Sequence, residues 1–218
     1  MDNKCLYSTP LLLDNFTTAN YTQPAICPAG AYCPNGTAFA TQFLCPNGTF
    51  SNRTQLRSAG QCTPCLAGQY CATEGLQQPT GPCGVGYYCA GGSAMAQPSG
   101  QGGDVCPAGA YCEAGTAVPS KCPAGTFNAN RGSQSGAACV ACPAGLYCAT
   151  EGLASPTGNC TAGYYCGNGT VVPRDLCPIG SYCPMGSAVP LLCRAGTYQD
   201  RMGQARANWE LAARIGGG

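Results

Sequence analysis

Cys62-Thr-Pro-Cys65-Leu-Ala-Gly68-Gln-Tyr70-Cys71-Ala-Thr-Glu74-Gly75-Leu76 and Cys139-Val-Ala-Cys142-Pro-Ala-Gly145-Leu-Tyr147-Cys148-Ala-Thr-Glu151-Gly152-Leu153 are two copies of one pattern, 77 residues apart. Within it lies a shorter unit, Cys-x-x-Gly-x-Tyr-Cys, which starts at Cys27, Cys65, Cys83, Cys106, Cys142, Cys160 and Cys177. A shortened form, Cys-x-x-Gly-Thr-[Phe/Tyr], starts at Cys45, Cys122 and Cys193. These ten strings contain seventeen of the twenty cysteines; only Cys5, Cys62 and Cys139 lie outside them. Fixed-period self-similarity of this kind marks a repeat architecture.

The motif has a physical meaning. A glycine held three residues after each cysteine predicts a turn with positive φ, where a side chain is strained. The aromatic two residues later supplies the largest apolar area of a small unit and is expected over a disulfide. Proline after the cysteine, as in Cys27-Pro28 and Cys106-Pro107, stiffens the entry. No helical periodicity runs through residues 27–203, and the short extended pieces between Gly, Pro, Asn and Ser predict small hairpins and irregular loops.

Composition agrees. Twenty cysteines in 218 residues are far above ordinary usage, and Gly (32) with Pro (18) makes up nearly a quarter of the chain. Large aliphatic residues are too sparse for one big core, the situation in which disulfides or metals staple small modules. The fold expected is a small disulfide-rich one, irregular with short β-hairpins, in an elongated linear array of cysteine-rich modules. Its divisions are a lead-in (1–26), unit 1 (27–105), unit 2 (106–176), a partial unit 3 (177–203) and a non-repeat tail (204–218). In the tail, Gln204–Ile215 reads as a short helix with Trp209, Ala212, Ala213 and Ile215 as a face.

Several function classes lose ground on this composition. Charged residues are 9% and net charge is +1, so no basic face is expected for nucleic acid. No run reaches the roughly 18–20 apolar residues of a membrane span. Met1–Lys4 and Leu11–Leu13 do not make a secretory signal, so the chain is expected to be processed or a fragment. Histidine is absent, which removes the commonest general base. Glu74 and Glu151 sit in two copies of one repeat and read as turn residues, so no catalytic residue is expected. The Cys62/Cys65 and Cys139/Cys142 pairs are 77 residues apart, not the 15–20 of a four-cysteine zinc site, so no metal or other cofactor is expected.

Seven asparagines stand in Asn-x-[Ser/Thr] sequons: Asn15, Asn20, Asn35, Asn47, Asn52, Asn159 and Asn168. N-linked glycans are expected, first at Asn35, Asn47, Asn52 and Asn168, then at Asn15 and Asn20. Asn159 is the weakest, because Cys160 fills the middle position. Glycans hydrate a surface that lacks charge.

The series Cys45, Cys62, Cys65, Cys71, Cys83, Cys89 resembles the six-cysteine modules of tumour-necrosis-factor receptors. It is more similar still to the GCC-type cysteine-rich repeat of ephrin receptors, abundant on protist and algal surfaces. Cys122-Pro-Ala-Gly-Thr-Phe and Cys139-Val-Ala-Cys-Pro-Ala-Gly-Leu-Tyr-Cys match that repeat, and the likeness covers roughly 27–203. Algal flagellar-hair (mastigoneme) proteins are similar in their Cys/Gly-rich repetition. The resemblance implies the pairs Cys45–Cys62, Cys65–Cys83 and Cys71–Cys89, and Cys122–Cys139, Cys142–Cys160 and Cys148–Cys166. The remaining strings would close as Cys27–Cys33, Cys106–Cys112 and Cys177–Cys183. A rival scheme joins neighbouring modules through Cys33–Cys45, Cys71–Cys83 and Cys89–Cys106. Under the first scheme Cys5 and Cys193 lack partners, since Glu210 stands where the partner of Cys193 belongs.

The function expected is an extracellular or cell-surface structural protein, a subunit of a glycosylated filament, coat or flagellar hair, with copies of itself as end-to-end partners. The alternative is the ligand-binding ectodomain of a cell-surface receptor.

Overall fold

The computed structural model describes residues 4–6 and 24–207, the side chains from 26 onward. They form a small disulfide-rich fold of nine two-stranded antiparallel hairpins. Two 3-10 turns, Ala59–Gln61 and Gly136–Ala138, are the helical elements among the described residues. None of the described helices is long and apolar enough to cross a membrane. Residues 204–207 are irregular, with a bend at 205–206, not the helix start read from sequence; Trp209, Ala212, Ala213 and Ile215 lie outside the described residues.

Number the ten motifs 1 to 10 from Cys27 to Cys193, and the residues of each from its first cysteine. In all ten the position-5 N–H donates to the position-2 carbonyl at 2.9–3.3 Å, closing a β-turn. The position-4 glycine has φ between 78° and 88° in every copy, the requirement of a type II turn. The turn sends positions 5 and 6 back as a short strand. In motifs 2 to 9 that strand pairs with the two residues before the next motif, as Gln69–Tyr70 does with Gly81–Pro82. In motif 1 the pairing shrinks to a single bridge, Ala31 to Leu44.

The turn also decides the disulfides. It places positions 1 and 7 face to face, so the cysteines there close on each other: Cys27–Cys33, Cys65–Cys71, Cys83–Cys89, Cys142–Cys148, Cys160–Cys166 and Cys177–Cys183, with Cα atoms 5.8–6.0 Å apart. Cys106 and Cys112, at the same spacing, are both disulfide-bonded. In motifs 2 and 6 position 7 is Ser51 or Asn128. The first cysteine there bonds 17 residues on, just past a 3-10 turn, as Cys45–Cys62 and Cys122–Cys139.

This corrects four pairings that the receptor resemblance implies. Cys65 does not join Cys83, nor Cys71 join Cys89, nor Cys142 join Cys160, nor Cys148 join Cys166. A partner inside the same turn outcompetes one in the next hairpin. The rival Cys33–Cys45, Cys71–Cys83 and Cys89–Cys106 pairs are absent for the same reason.

The chain divides into two compact units: residues up to 105 with Cys112–Val118, and Cys106–Tyr111 with residues from 119 onward. Neither has a conventional core. The buried apolar side chains among the described residues are cysteines, three alanines, Leu56 and Pro98. Where position 7 lacks cysteine, a polar side chain is buried instead. Asn128 is 1% exposed and donates Nδ2 to the Ala110 carbonyl (2.9 Å) and Ser133 Oγ (2.8 Å). Its Oδ1 accepts from Asn130 N–H (3.1 Å), so the amide is satisfied on both sides.

Candidate functional site: the stacked turns and their exposed tips

Backbone groups join successive motifs, so the stacking surface is built almost without side chains. The position-4 glycine N–H donates to the position-7 carbonyl of the next motif: Gly30 to Ser51, Gly48 to Cys71, Gly68 to Cys89 and Gly86 to Cys112 in the first unit. The second unit has Gly109 to Asn128, Gly125 to Cys148, Gly145 to Cys166, Gly163 to Cys183 and Gly180 to Gln199, all nine at 2.7–2.9 Å. The next motif's first cysteine returns its N–H to the position-4 carbonyl, as Cys83 does to Gly68 (2.8 Å). Two further bonds complete the rung, such as Gly92 N–H to the Cys65 carbonyl (2.8 Å) and Cys71 N–H to the Ser93 carbonyl (2.9 Å).

The third of these bonds comes from a second glycine in eight of the motifs. Its donors are Gly75, Gly92, Gly115, Gly132, Gly152, Gly169, Gly186 and Gly203, all with positive φ. In motif 2 the donor is Gln55, the single described non-glycine residue with positive φ (64°), and its bond to the Cys27 carbonyl survives at 2.9 Å. In several motifs the side chain before the first cysteine lies over the second glycine of the following motif: Leu44 on Gly75, Lys121 on Gly152, Leu176 on Gly203. Lys121 also meets Glu151 at 2.8 Å in an exposed ion pair.

Packing extends one motif further. A Cβ on Gly68 would sit 2.4 Å from the Gly115 carbonyl oxygen, and one on Gly109 2.1 Å from that of Gly152. Backbone therefore touches backbone two motifs along, which no other residue type permits.

What remains for function is the outer surface. Glu74 and Glu151 precede equivalent glycines of motifs 3 and 7, are exposed, and share no site. No three His, Cys, Asp or Glu side chains among the described residues come together as a metal cage. Cys193 is a half-buried free thiol. Asn15 and Asn20 lie outside the described residues. Asn35, Asn47, Asn52, Asn159 and Asn168 are all exposed, but in different settings. Asn35, Asn47 and Asn168 occupy the residue before the glycine of a turn, and Asn159 belongs to a strand paired with Leu146.

The sequence reading missed one feature. Three residues after the second glycine, motifs 1, 4, 5, 8 and 9 expose an apolar side chain: Phe39, Met95, Val118, Val172 and Val189. Motifs 3 and 7 place Gln78 and Ser155 there. The recurrence is visible in Gly115-Thr-Ala-Val118, Gly169-Thr-Val-Val172 and Gly186-Ser-Ala-Val189 once the second glycine is used to align them. Beside Val189, Met185 and Leu191 line an open depression of about 310 Å³.

The chain matches no family model, and no curated protein matches it. Its own chemistry bears on compartment at a coarse level. Eight located bridges, with Cys106 and Cys112 also oxidised, are those of an extracellular or secreted cysteine-rich protein.

Proposed function

We propose that the chain is a structural subunit of an extracellular filament, coat or flagellar hair, of the GCC-type cysteine-rich class, and not an enzyme. The observation that carries this is the rung of backbone hydrogen bonds repeated from motif to motif. Such a rung is indifferent to most side chains, joins like to like, and satisfies each turn only through its neighbour, the logic of a stacked repeat. Low charge and repeated exposed apolar tips also fit a protein made to be covered by others more than one made to stay apart.

Copies stacked end to end would repeat between molecules the backbone rung that joins motif to motif within one. Copies joined through such a heterologous contact form an open fibre. Electron microscopy of the secreted, non-reduced protein, with light scattering across a concentration series, tests this. Filaments or concentration-dependent growth are expected. A monomer at every concentration overturns it and favours the receptor ectodomain.

A further inference from the structure

We infer that Asn35, Asn47 and Asn168 carry N-linked glycans at the tips of glycine turns, and that Asn159, although in a sequon, stays bare. The inference rests on the extracellular reading above.

At the first two sites the asparagine is the second residue of a closed glycine turn. Thr37 N–H donates to the Pro34 carbonyl (3.2 Å) around Asn35, and Thr49 N–H to the Pro46 carbonyl (3.0 Å) around Asn47. Gly36 and Gly48 supply the positive φ that follows (85° and 79°). Asn168 precedes Gly169 (φ 75°) in the same local sequence, Asn-Gly-Thr. At all three the sequon threonine folds back: Thr37 and Thr49 donate Oγ1 to the Pro34 and Pro46 carbonyls (2.6 Å each), and Thr170 to the Gly167 carbonyl (2.8 Å). The threonine is thus held by the turn itself, and the asparagine is the exposed corner.

Glycosylation forms a bond from Asn Nδ2 to the anomeric carbon of the sugar. It breaks that carbon's bond to the diphosphate of a polyprenyl-linked oligosaccharide donor, and one Nδ2 proton leaves. Oδ1 is untouched. At Asn168 Oδ1 accepts from Ala144 N–H (2.9 Å), so that bond to the preceding motif survives and orients the glycan.

Asn159 is different on three counts. It stands directly before a first cysteine, the place where Leu44, Lys121 and Leu176 cover the next glycine, and its carboxamide lies over Gly186. Its backbone is paired in a hairpin with Leu146. The middle residue of its sequon, Cys160, is fully buried in the bond to Cys166.

The test is secretion from a eukaryotic cell, amidase deglycosylation in ¹⁸O-water and peptide mass spectrometry, with disulfides mapped on the same sample. Labelled aspartate is expected at residues 35, 47 and 168 and unlabelled asparagine at 159. Asn35→Gln, Asn47→Gln and Asn168→Gln should each remove one glycan step on a denaturing gel, and Asn159→Gln none. Label at 159, or none at the three tips with the bridges intact, overturns this inference and leaves the extracellular reading standing. Free thiols throughout would overturn the extracellular reading itself.

Discussion

Gly68→Ala and Gly180→Ala form a matched pair that isolates the energy of stacking. Both glycines occupy position 4, with φ of 81° and 79°. A methyl group therefore incurs the same left-handed penalty at each, about 1–2 kcal/mol. The surroundings differ. At Gly180 the new Cβ meets nothing within 4 Å. At Gly68 it falls 2.4 Å from the Gly115 carbonyl oxygen, a backbone atom that cannot swing aside. Opening that contact disturbs Gly68 N–H to Cys89 and Cys83 N–H to Gly68, both 2.8 Å. Each buried group left unpaired costs about 1–3 kcal/mol. Gly68→Ala should thus lose about 3–8 kcal/mol in all, and Gly180→Ala about 1–2. Denaturant unfolding followed by tyrosine near-ultraviolet circular dichroism, with disulfides intact, reads the difference. Equal losses would refute the claim that backbone contact two motifs along holds the array together.

Three smaller tests follow from the same geometry. Gln55→Gly should stabilise the protein by up to about 1 kcal/mol, because it relieves the one described non-glycine residue at positive φ; a lowered midpoint would contradict this. Replacing Cys65 and Cys71 together by serine should cost about 2.4 kcal/mol and the Cys45/Cys62 pair about 3.2, from loops of separation 6 and 17. Proteolysis after Tyr70 should leave Cys65 and Cys71 peptides linked, and a Cys65–Cys83 peptide would sink the assignment. Lys121→Leu should change stability by less than about 1 kcal/mol, since an exposed ion pair contributes little and Leu44 performs the same packing on Gly75; a larger loss in thermal melts would show the pair matters more than its exposure allows.

The hairpins were legible because their cause is local. Cysteine, two residues and glycine define a type II turn, and the strand after it follows. The bridges were only partly so. Cysteines at positions 1 and 7 are equally compatible in spacing with closing on themselves or on the next motif. Only the turn's three-dimensional reversal, which brings their Cα atoms to about 5.8 Å, decides between them. The stacking rungs left almost no trace, because backbone bonds constrain only the residues that must be glycine. The second glycine was on view in Ala-Thr-Glu-Gly, yet its role stays hidden until Gln55 is seen making the same bond. The buried amide of Asn128 was invisible for a related reason: it fills a space that cysteine fills elsewhere.

Each of the eight located bridges joins a cysteine to the very next cysteine in the chain. No crossing ever has to be undone. A polypeptide entering an oxidising compartment at about 5–20 residues per second can therefore be sealed in order of synthesis, each pair fixed before the next emerges. The hazard of such a zipper is phase. A single slip, Cys33 joined to Cys45, would shift every later bond by one partner. Closing each turn before the next cysteine emerges thus fixes the phase of every bridge that follows.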